Sequence, residues 1–174
     1  MKISTKLFMS TILLAGFATG VKAQSTATAT TTATLITPIS VTKDADMNFG
    51  QIAASGTSGT VTLGYTNNAS VSGGVTSPNG GAGATTASFI VTGASTNGFS
   101  ISLPTSVVLT DGTTNNLTVS DFTADLGSTS SLVDGTKTIK VGATLTVPAN
   151  TAAGIYTNTG ADVTNGLFVT VNYN

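Results

Sequence analysis

The sequence predicts an all-β protein, an immunoglobulin-like antiparallel β-sandwich with no helix after its amino-terminal segment. Three observations support this fold class. Short stretches in which apolar and polar residues alternate recur along the chain, turns rich in Gly, Asn and Asp separate them, and no later segment shows a helical period. Nine or ten such strands in about 150 residues are typical of a β-sandwich.

The composition supports a packed domain that is poor in reactive side chains. Apolar residues make up 40% of the chain and charged residues only 7%, and histidine and cysteine are absent. The apolar fraction is sufficient for a core, which argues against disorder. Without cysteine, no disulfide can stabilise the domain, so packing and backbone pairing must do so.

The amino terminus, residues 1–23, is predicted to be a cleaved export signal. Lys2 and Lys6 precede an apolar stretch over 7–18, and Val21-Lys22-Ala23 places small residues before a cut after Ala23. We therefore expect export by the general secretory route to the periplasm, cell surface or exterior. The stretch is too short for a membrane anchor, and no other apolar run approaches the roughly 18 residues of a spanning helix, so stable membrane insertion is not expected.

Residues 24–34 form an extended arm rich in Thr and Ala, followed by one domain over 35–174. Apolar residues from the arm into the first strand share one parity, and threonines occupy most of the other. The arm is either a flexible leader or a strand that adds to another subunit's sheet. The residues that would make such an addition are Ala27, Ala29, Ala33, Leu35, Ile39 and Val41.

In the first half of the domain, alternation predicts strands over 46–52, with a bend at Gly50, and over 60–65. The polar segment that follows leads to a loop at 79–83. Strands over 87–93 and 99–104 flank a short loop with Asn97-Gly98, which predicts an antiparallel pair.

In the second half, strands are predicted over 106–110 and 117–122, and then over 136–147. The last of these has the clearest alternation, and Pro148 closes it because proline has no amide hydrogen for a ladder. Ile155 and Tyr156 would begin the next strand after a turn. The final strand, 167–174, carries Leu167, Val169, Val171 and Tyr173 on one face.

The residues required for most enzymes are missing. The absence of histidine and cysteine excludes a Ser-His triad, a thiolate nucleophile and an ordinary zinc site. Nearly all seven aspartates lie in predicted turns, where local backbone hydrogen bonds explain them. Asp44, Asp46 and Asn48 resemble the start of a calcium loop, but the glycine comes one position late and no glutamate follows. We expect no catalytic activity, no cofactor and no metal.

After cleavage, three lysines face seven aspartates, a net charge of minus four. A mildly acidic chain of this kind would be repelled by phosphate backbones, so nucleic acid is not an expected partner.

Five blocks resemble a family of secreted bacterial proteins classified as a domain of unknown function, number four-four-zero-two. They read MNFGQIAASGTSGTVTL, ASFIVTG, FSISLP, VGATLTVPANTAAGIYTNT and VTVNYN, and together they extend over nearly the whole mature chain. The family is similar to fimbrial subunits and spore-coat-type domains. This chain departs from it in a longer connection over 160–166.

The resemblance implies a non-enzymatic surface or structural protein, a fimbria-like subunit that assembles by strand addition. Its partners would be copies of itself or other surface subunits, and a periplasmic chaperone that fills the open sheet first. The final strand with Leu167, Val169, Val171 and Tyr173 would be the assembly strand. A penultimate aromatic such as Tyr173 is also common in any final core strand.

The alternative is a secreted module that binds carbohydrate or protein. Sugars stack on exposed aromatic rings, and Tyr65 and Tyr156 are the best candidates. The five phenylalanines after the signal, Phe49, Phe89, Phe99, Phe122 and Phe168, alternate as strand residues and are expected in the core.

Overall fold

The computed structural model describes residues 24–126, 130–158 and 166–174. The predicted export signal and most of the predicted long connection, residues 159–165, lie outside them. None of the described residues is helical, and every strand pairing is antiparallel, which confirms the all-β class. The strands of the described part are β1 Ser40–Ala45, β2 Asn48–Phe49, β3 Ala53–Leu63, β4 Ala69–Thr76, β5 Ala84–Thr85, β6 Ala87–Thr92, β7 Phe99–Ser102, β8 Ser106–Thr110, β9 Asn116–Ala124, β10 Thr136–Val147 and β11 Thr170–Tyr173.

The strand with the clearest alternation in the sequence, β10, is the centre of the seven-stranded sheet. Its first half pairs with β6 and its second half with β3 along one edge, while β9 pairs along the other. Strand β1 lies outside β6, β4 outside β3, and β8 outside β9. The alternate residues Ile139, Val141, Ala143, Leu145 and Val147 are all buried, which confirms the predicted inward face.

Gly142 occupies the point where β10 changes partner from β6 to β3. Val141 still pairs with Ala87, and Ala143 already pairs with Leu63. A Cβ atom at Gly142 would lie 2.5 Å from the carbonyl oxygen of Leu63. Only glycine permits this close backbone approach, and it allows one strand to join two others end to end.

Strands β7 and β11 form a separate two-stranded sheet that packs over β6 and the first half of β10. Phe99 of β7 is fully buried with Val91 and Ile139, and the side chains of Ile101 and Val171 pack against the same cluster. A second cluster lies between β3, β8, β9 and the second half of β10. Two antiparallel layers that enclose an apolar interior are consistent with a β-sandwich.

One predicted strand pair is wrong. Strands β6 and β7 form at the expected places, but β6 pairs with β1 and β10, whereas β7 pairs with β11. The loop between them carries the chain from one sheet to the other. The N–H groups of Thr96 and Phe99 donate to the carbonyl groups of Leu132 and Ser130. The loop therefore does not close a hairpin between β6 and β7.

The prediction that a strand begins at Ile155 and Tyr156 is also wrong. Thr157 makes an isolated bridge to Thr110, and Ile155 is exposed. The Tyr156 hydroxyl donates to the carbonyl of Ala152, which keeps the segment curled and away from a ladder.

The sequence analysis missed β4, which pairs with β3. This strand has eight residues, and its Ser and Gly content gives no clear alternation of apolar and polar residues. It forms because the partner strand and the turn at Asn67, which has a φ of 61°, impose an extended conformation that its composition does not favour.

Residues 24–34 belong to a compact unit distinct from 35–174. The described part of that unit has no regular secondary structure, and all its side chains are exposed. Within the second unit, Leu35 is 90% exposed and Ile36 52% exposed, and strand β1 begins at Ser40.

Candidate functional site

A large cavity of about 1170 Å³, lined by both apolar and polar residues, lies beside the core of the domain. Its floor consists of inward-facing residues of the seven-stranded sheet, including Val107, Leu145 and Val147. One wall is the segment 43–54, and the opposite wall is the strandless segment 151–158 with Leu167. The cavity therefore lies over the second core cluster, next to the segment where the strand predicted at 155–156 does not form.

Two strand edges lie in this part of the domain: β1 contributes Lys43 and Ala45 to the lining of the cavity, whereas β11 contributes none of its residues. Strand β1 pairs with β6 along one edge, and β11 pairs with β7 along one edge. Within the described part of the chain, no ladder joins β1 to β11 or occupies their other edges. Free backbone N–H and C=O groups on such edges can accept another strand.

The two edges meet at one end and separate at the other. The Tyr173 hydroxyl, at the end of β11, donates to the carbonyl of Thr37 over 2.7 Å, just before β1. At the far ends, Lys43 to Met47 and Leu167 line the cavity. We call this space, between β1 and β11 and opening onto the cavity, the β1–β11 cleft.

Tyr173 fixes the narrow end of the cleft with two hydrogen bonds. Besides donating to Thr37, its hydroxyl accepts from the N–H of Ala94 over 2.6 Å. The neighbouring Gly93 makes room for the ring, because a Cβ there would lie 2.3 Å from the Tyr173 hydroxyl oxygen. Tyr173 thus joins the last strand, the β6–β7 loop and the segment just before β1.

The structure divides the six candidate residues of the arm into two groups. Ile39 and Val41 are partly buried against the core cluster of their own domain. The other four, Ala27, Ala29, Ala33 and Leu35, are exposed. The exposed segment therefore extends to Pro38, just before Ile39.

The four candidates of the final strand share one environment. Leu167, Val169, Val171 and Tyr173 all pack, partly buried, against the core cluster that contains Phe99. The regular strand is shorter than predicted, because Leu167 and Val169 precede β11. Of the four, Leu167 also lines the cavity, and the outer backbone edge of β11 has no ladder within the part of the chain that the structure describes.

The acidic residues that resemble a calcium loop do not converge. Asp44 accepts a hydrogen bond from Ser88 over 2.6 Å, and Asp46 pairs with Lys43 over 2.7 Å. Asn48 accepts from the N–H of Gly50, which has a φ of 76°. Each group has a local structural partner, and the described residues contain no group of three acidic side chains that could hold a metal ion.

One carboxylate has a strongly shifted pKa. Hydrogen bonds from the side chain of Thr113 and then Asn115 hold the pKa of Asp111 at about 2, below its usual 3.8. Desolvation, and then the charge of Asp111, raise the pKa of the Tyr156 hydroxyl. Asp111 thus organises the β8–β9 turn.

The aromatic candidates for sugar stacking are less open than the sequence suggests. Tyr65 and Tyr156 are both half-buried, and Tyr156 packs on the core. Of the phenylalanines, Phe49, Phe89 and Phe99 are buried, and Phe122 packs between both core clusters.

Sequence reasoning missed the cleft itself. The alternation of β8, β9 and β10 identified the apolar floor, but no local pattern shows that a covering strand is absent. The strand signal over 155–156 is weak, and this weakness was the clue in the sequence that no strand forms there beside the cavity.

No helix in the described ranges 24–126, 130–158 and 166–174 has the length and apolar character needed to cross a membrane.

Comparison with known proteins gives one match. The family described as Domain of unknown function (DUF4402) matches residues 39–173, which extend from the base of β1 to the end of β11. Neither the curated proteins nor the solved structures compared with the chain give a match. Because the match includes every strand of the domain, the chain belongs to the DUF4402 family of domains of unknown function.

Proposed function

We propose that the protein is an exported, non-enzymatic surface or structural subunit that assembles by strand addition, in the manner of a fimbria. The arm of one copy fills the β1–β11 cleft of the next. In this arrangement the domain is an immunoglobulin-like sandwich with one strand missing, and the neighbour provides that strand.

The observation that carries the proposal is the cleft. A large cavity beside the core includes residues of β1 in its lining, and the outer edges of β1 and β11 have no ladder among the described residues. A strand inserted there would bond to free backbone groups and would cover apolar residues such as Phe122 and Leu167. Both effects favour occupancy, because exposed edges and apolar surface are costly in water.

The arm has the properties of the missing strand. It alternates Ala or Leu with Thr, so one face can enter the cavity while the other faces solvent. Residues 24–36, fully extended, span about 43 Å at 3.3 Å per residue, which is longer than an average strand. Leu35 has the largest side chain on the apolar face and is nearly fully exposed in the single chain.

Before assembly, a strand from another protein would fill the same cleft. An exported subunit with an open apolar cleft would aggregate unless another strand covered it, and a periplasmic chaperone is the partner that would supply one.

Solution mass tests the proposal. The mature chain, 24–174, is compared with a version that begins at Leu35, by light scattering and by unheated SDS gels. We expect SDS-resistant multimers from the mature chain and a monomeric or unstable truncated form. If both are stable monomers with the same melting temperature, the arm is a leader and the alternative of a secreted binding module is preferred.

A point variant tests the contribution of the Leu35 side chain without changing the length of the chain. Leu35→Asp places a charge on the face that would enter the cavity, so we expect loss of multimers. Val133→Asp is the matched control, since Val133 is another exposed apolar residue, at 70%, outside the cleft. Equal loss of multimers in both variants would contradict strand addition.

A further inference from the structure

The outer edge of β8 lies beside the cavity and begins a ladder that stops after one residue pair. The N–H of Thr110 donates to the carbonyl of Thr157 over 2.9 Å, and the N–H of Thr157 donates back over 3.0 Å. Among the described residues, no strand pairs with this edge over the rest of β8. The single bridge therefore leaves the amino-terminal part of the β8 edge without a neighbour in the described chain.

The phase of the backbone shows which groups this edge presents. In an antiparallel strand, residues whose N–H and C=O point to one neighbour alternate with residues whose groups point to the other. The groups of Thr110 point outward to Thr157, and β8 pairs with β9 from Ser106 to Thr110 without a register shift. The N–H and C=O groups of Val108 and Ser106 therefore also point outward, where they can extend the ladder.

Strand β8 lacks the features that protect other outer edges of the sheet. Strand β1 carries Lys43 and Asp44 and has a register shift after Lys43. In β4, Gly73 has a φ of 74° and pairs at a register shift of β3. Charges and bulges of this kind discourage the pairing of an edge with another strand. Strand β8 reads SVVLT and has no charge, no proline and no register shift.

The side chains of β8 define what an added strand must look like. Val107 and Leu109 line the cavity, whereas Val108 between them lies on the other face and is 44% exposed. A strand added outside β8 follows the same alternation. Its residues beside Val107 and Leu109 would enter the cavity, and the residue opposite Val108 would face solvent. The edge therefore suits an uncharged strand with one apolar and one polar face.

A second copy of β8 fits this edge less well than the arm does. Pairing two β8 strands about Val108 would place Thr110 of each copy opposite Ser106 of the other, and the Thr110 groups already bond to Thr157. The arm contains no charged residue. Thr occupies its even positions from 28 to 34, and four of the five odd positions from 27 to 35 are Ala or Leu.

We infer that the arm of a neighbouring copy pairs with the outer edge of β8, opposite Val108. The inference rests on the proposed strand addition and names the edge that receives the part of the arm lying in the cavity. The six residues of β1 match about 20 Å of extended chain, so an arm of about 43 Å is long enough to continue from the cleft into the cavity.

The variant Val108→Pro tests the inference in the mature protein, 24–174. Proline removes the outward N–H but no bond of the β8–β9 ladder, and edge strands tolerate proline when that N–H faces outward. We expect the fraction of SDS-resistant multimers to fall about tenfold, since a hydrogen bond is lost and the ring meets the incoming strand. The matched control is Val108→Thr, which keeps the N–H and the β-branched shape and should leave the multimers unchanged.

Disulfide trapping decides the question if Val108→Pro does not fold. The chain has no cysteine of its own, so each introduced pair is the only one present. Directly opposed residues in a hydrogen-bonded pair have Cα atoms about 5.5 Å apart, within the range of a disulfide. Val108→Cys is combined with one arm variant at a time, namely Thr28→Cys, Thr30→Cys, Thr32→Cys or Thr34→Cys.

We expect at least one of these pairs to give disulfide-linked multimers under mild oxidation. The control replaces Val108→Cys by Val133→Cys, because Val133 is 70% exposed and does not line the cavity. The control pairs should give none. Linkage within one chain, or equal linkage to both positions, would overturn the inference.

Failure of this inference is distinguishable from failure of strand addition. If the unmodified chain forms multimers and a folded Val108→Pro retains them, the arm pairs with another edge and strand addition stands. The same holds if multimers form but no arm cysteine links to Val108→Cys. If the unmodified chain forms no multimers, strand addition is overturned and the inference with it.

Discussion

Tyr173 shows how one hydroxyl can determine the geometry of a terminal strand. It donates to Thr37 and accepts from Ala94, so it connects three segments far apart in the sequence. This shared hydroxyl fixes the end of β11 against the segment just before β1. The ring also requires Gly93, because any side chain there would displace the hydroxyl.

We predict that Tyr173→Phe lowers the free energy of unfolding by about 1–3 kcal/mol, since it removes two hydrogen bonds and leaves the Ala94 N–H without its partner. Chemical denaturation measures this loss, and hydrogen exchange at Ala94 should become faster. Tyr65→Phe, on a half-buried tyrosine that makes neither bond, is the control and should change neither quantity. Unchanged exchange at Ala94 in Tyr173→Phe would show that the hydroxyl does not close this end of the cleft.

Asp111 provides a prediction about pH. Its pKa in the folded protein is about 2 and its usual value is 3.8. A depressed carboxyl pKa stabilises the fold at pH values above the usual pKa, and this contribution is lost as the pH falls through the folded pKa. Between pH 4 and 2, thermal melting of the unmodified chain should therefore decline more than that of Asp111→Asn. Parallel decline of the two proteins would mean that the Thr113 and Asn115 hydrogen bonds do not stabilise the charged form.

At the scale of elements, β10 organises the domain because it pairs with three strands. Its regular alternation provides the inward apolar face, and Gly142 permits the change of partner within one edge. A strand that joins β6 and β3 end to end makes the two core clusters parts of one domain.

Gly142→Ala should lower the free energy of unfolding by about 2–3 kcal/mol, because the new methyl group meets the Leu63 carbonyl at 2.5 Å and the backbone must shift. Urea denaturation measures the loss. Gly64→Ala is a matched control in the same sheet region, where a Cβ would meet nothing within 4 Å. We expect that control to stay within about 0.5 kcal/mol of the unmodified chain. Similar losses at both positions would refute the close approach.

At the scale of the whole molecule, the domain combines a well-packed core with an uncovered cleft. No disulfide is available, since the chain contains no cysteine. In the proposed assembly, additional stability would come from the strand that fills the cleft.

Association makes stability depend on concentration, because a partner that binds the folded state raises the apparent melting temperature. We therefore predict that the melting temperature of the mature chain rises with protein concentration, while that of the version beginning at Leu35 does not. Differential scanning calorimetry over a hundredfold range of concentration measures this. A constant melting temperature for the mature chain would be evidence against assembly through the arm.

The sequence by itself determined the fold class and most strands. Alternation identified β8, β9 and β10 and their inward faces because a strand's period of two is a local property of the backbone. The bend at Gly50 was likewise predictable, since its positive φ needs glycine. The sequence also shows, without any knowledge of contacts, that the chain has no histidine or cysteine. A Ser-His triad and a thiolate nucleophile are therefore excluded.

Only the tertiary structure decided how the strands pair and what they leave open. Strands β6 and β7 looked like a hairpin, yet they lie in different sheets, because pairing depends on distant partners such as β1 and β11. The segment at 155–156 looked like a strand and is not one, and β4 looked like a loop and is a strand. The cavity is lined by residues far apart in the sequence. It depends on which strands pair with one another, and no local pattern of side chains encodes that pairing.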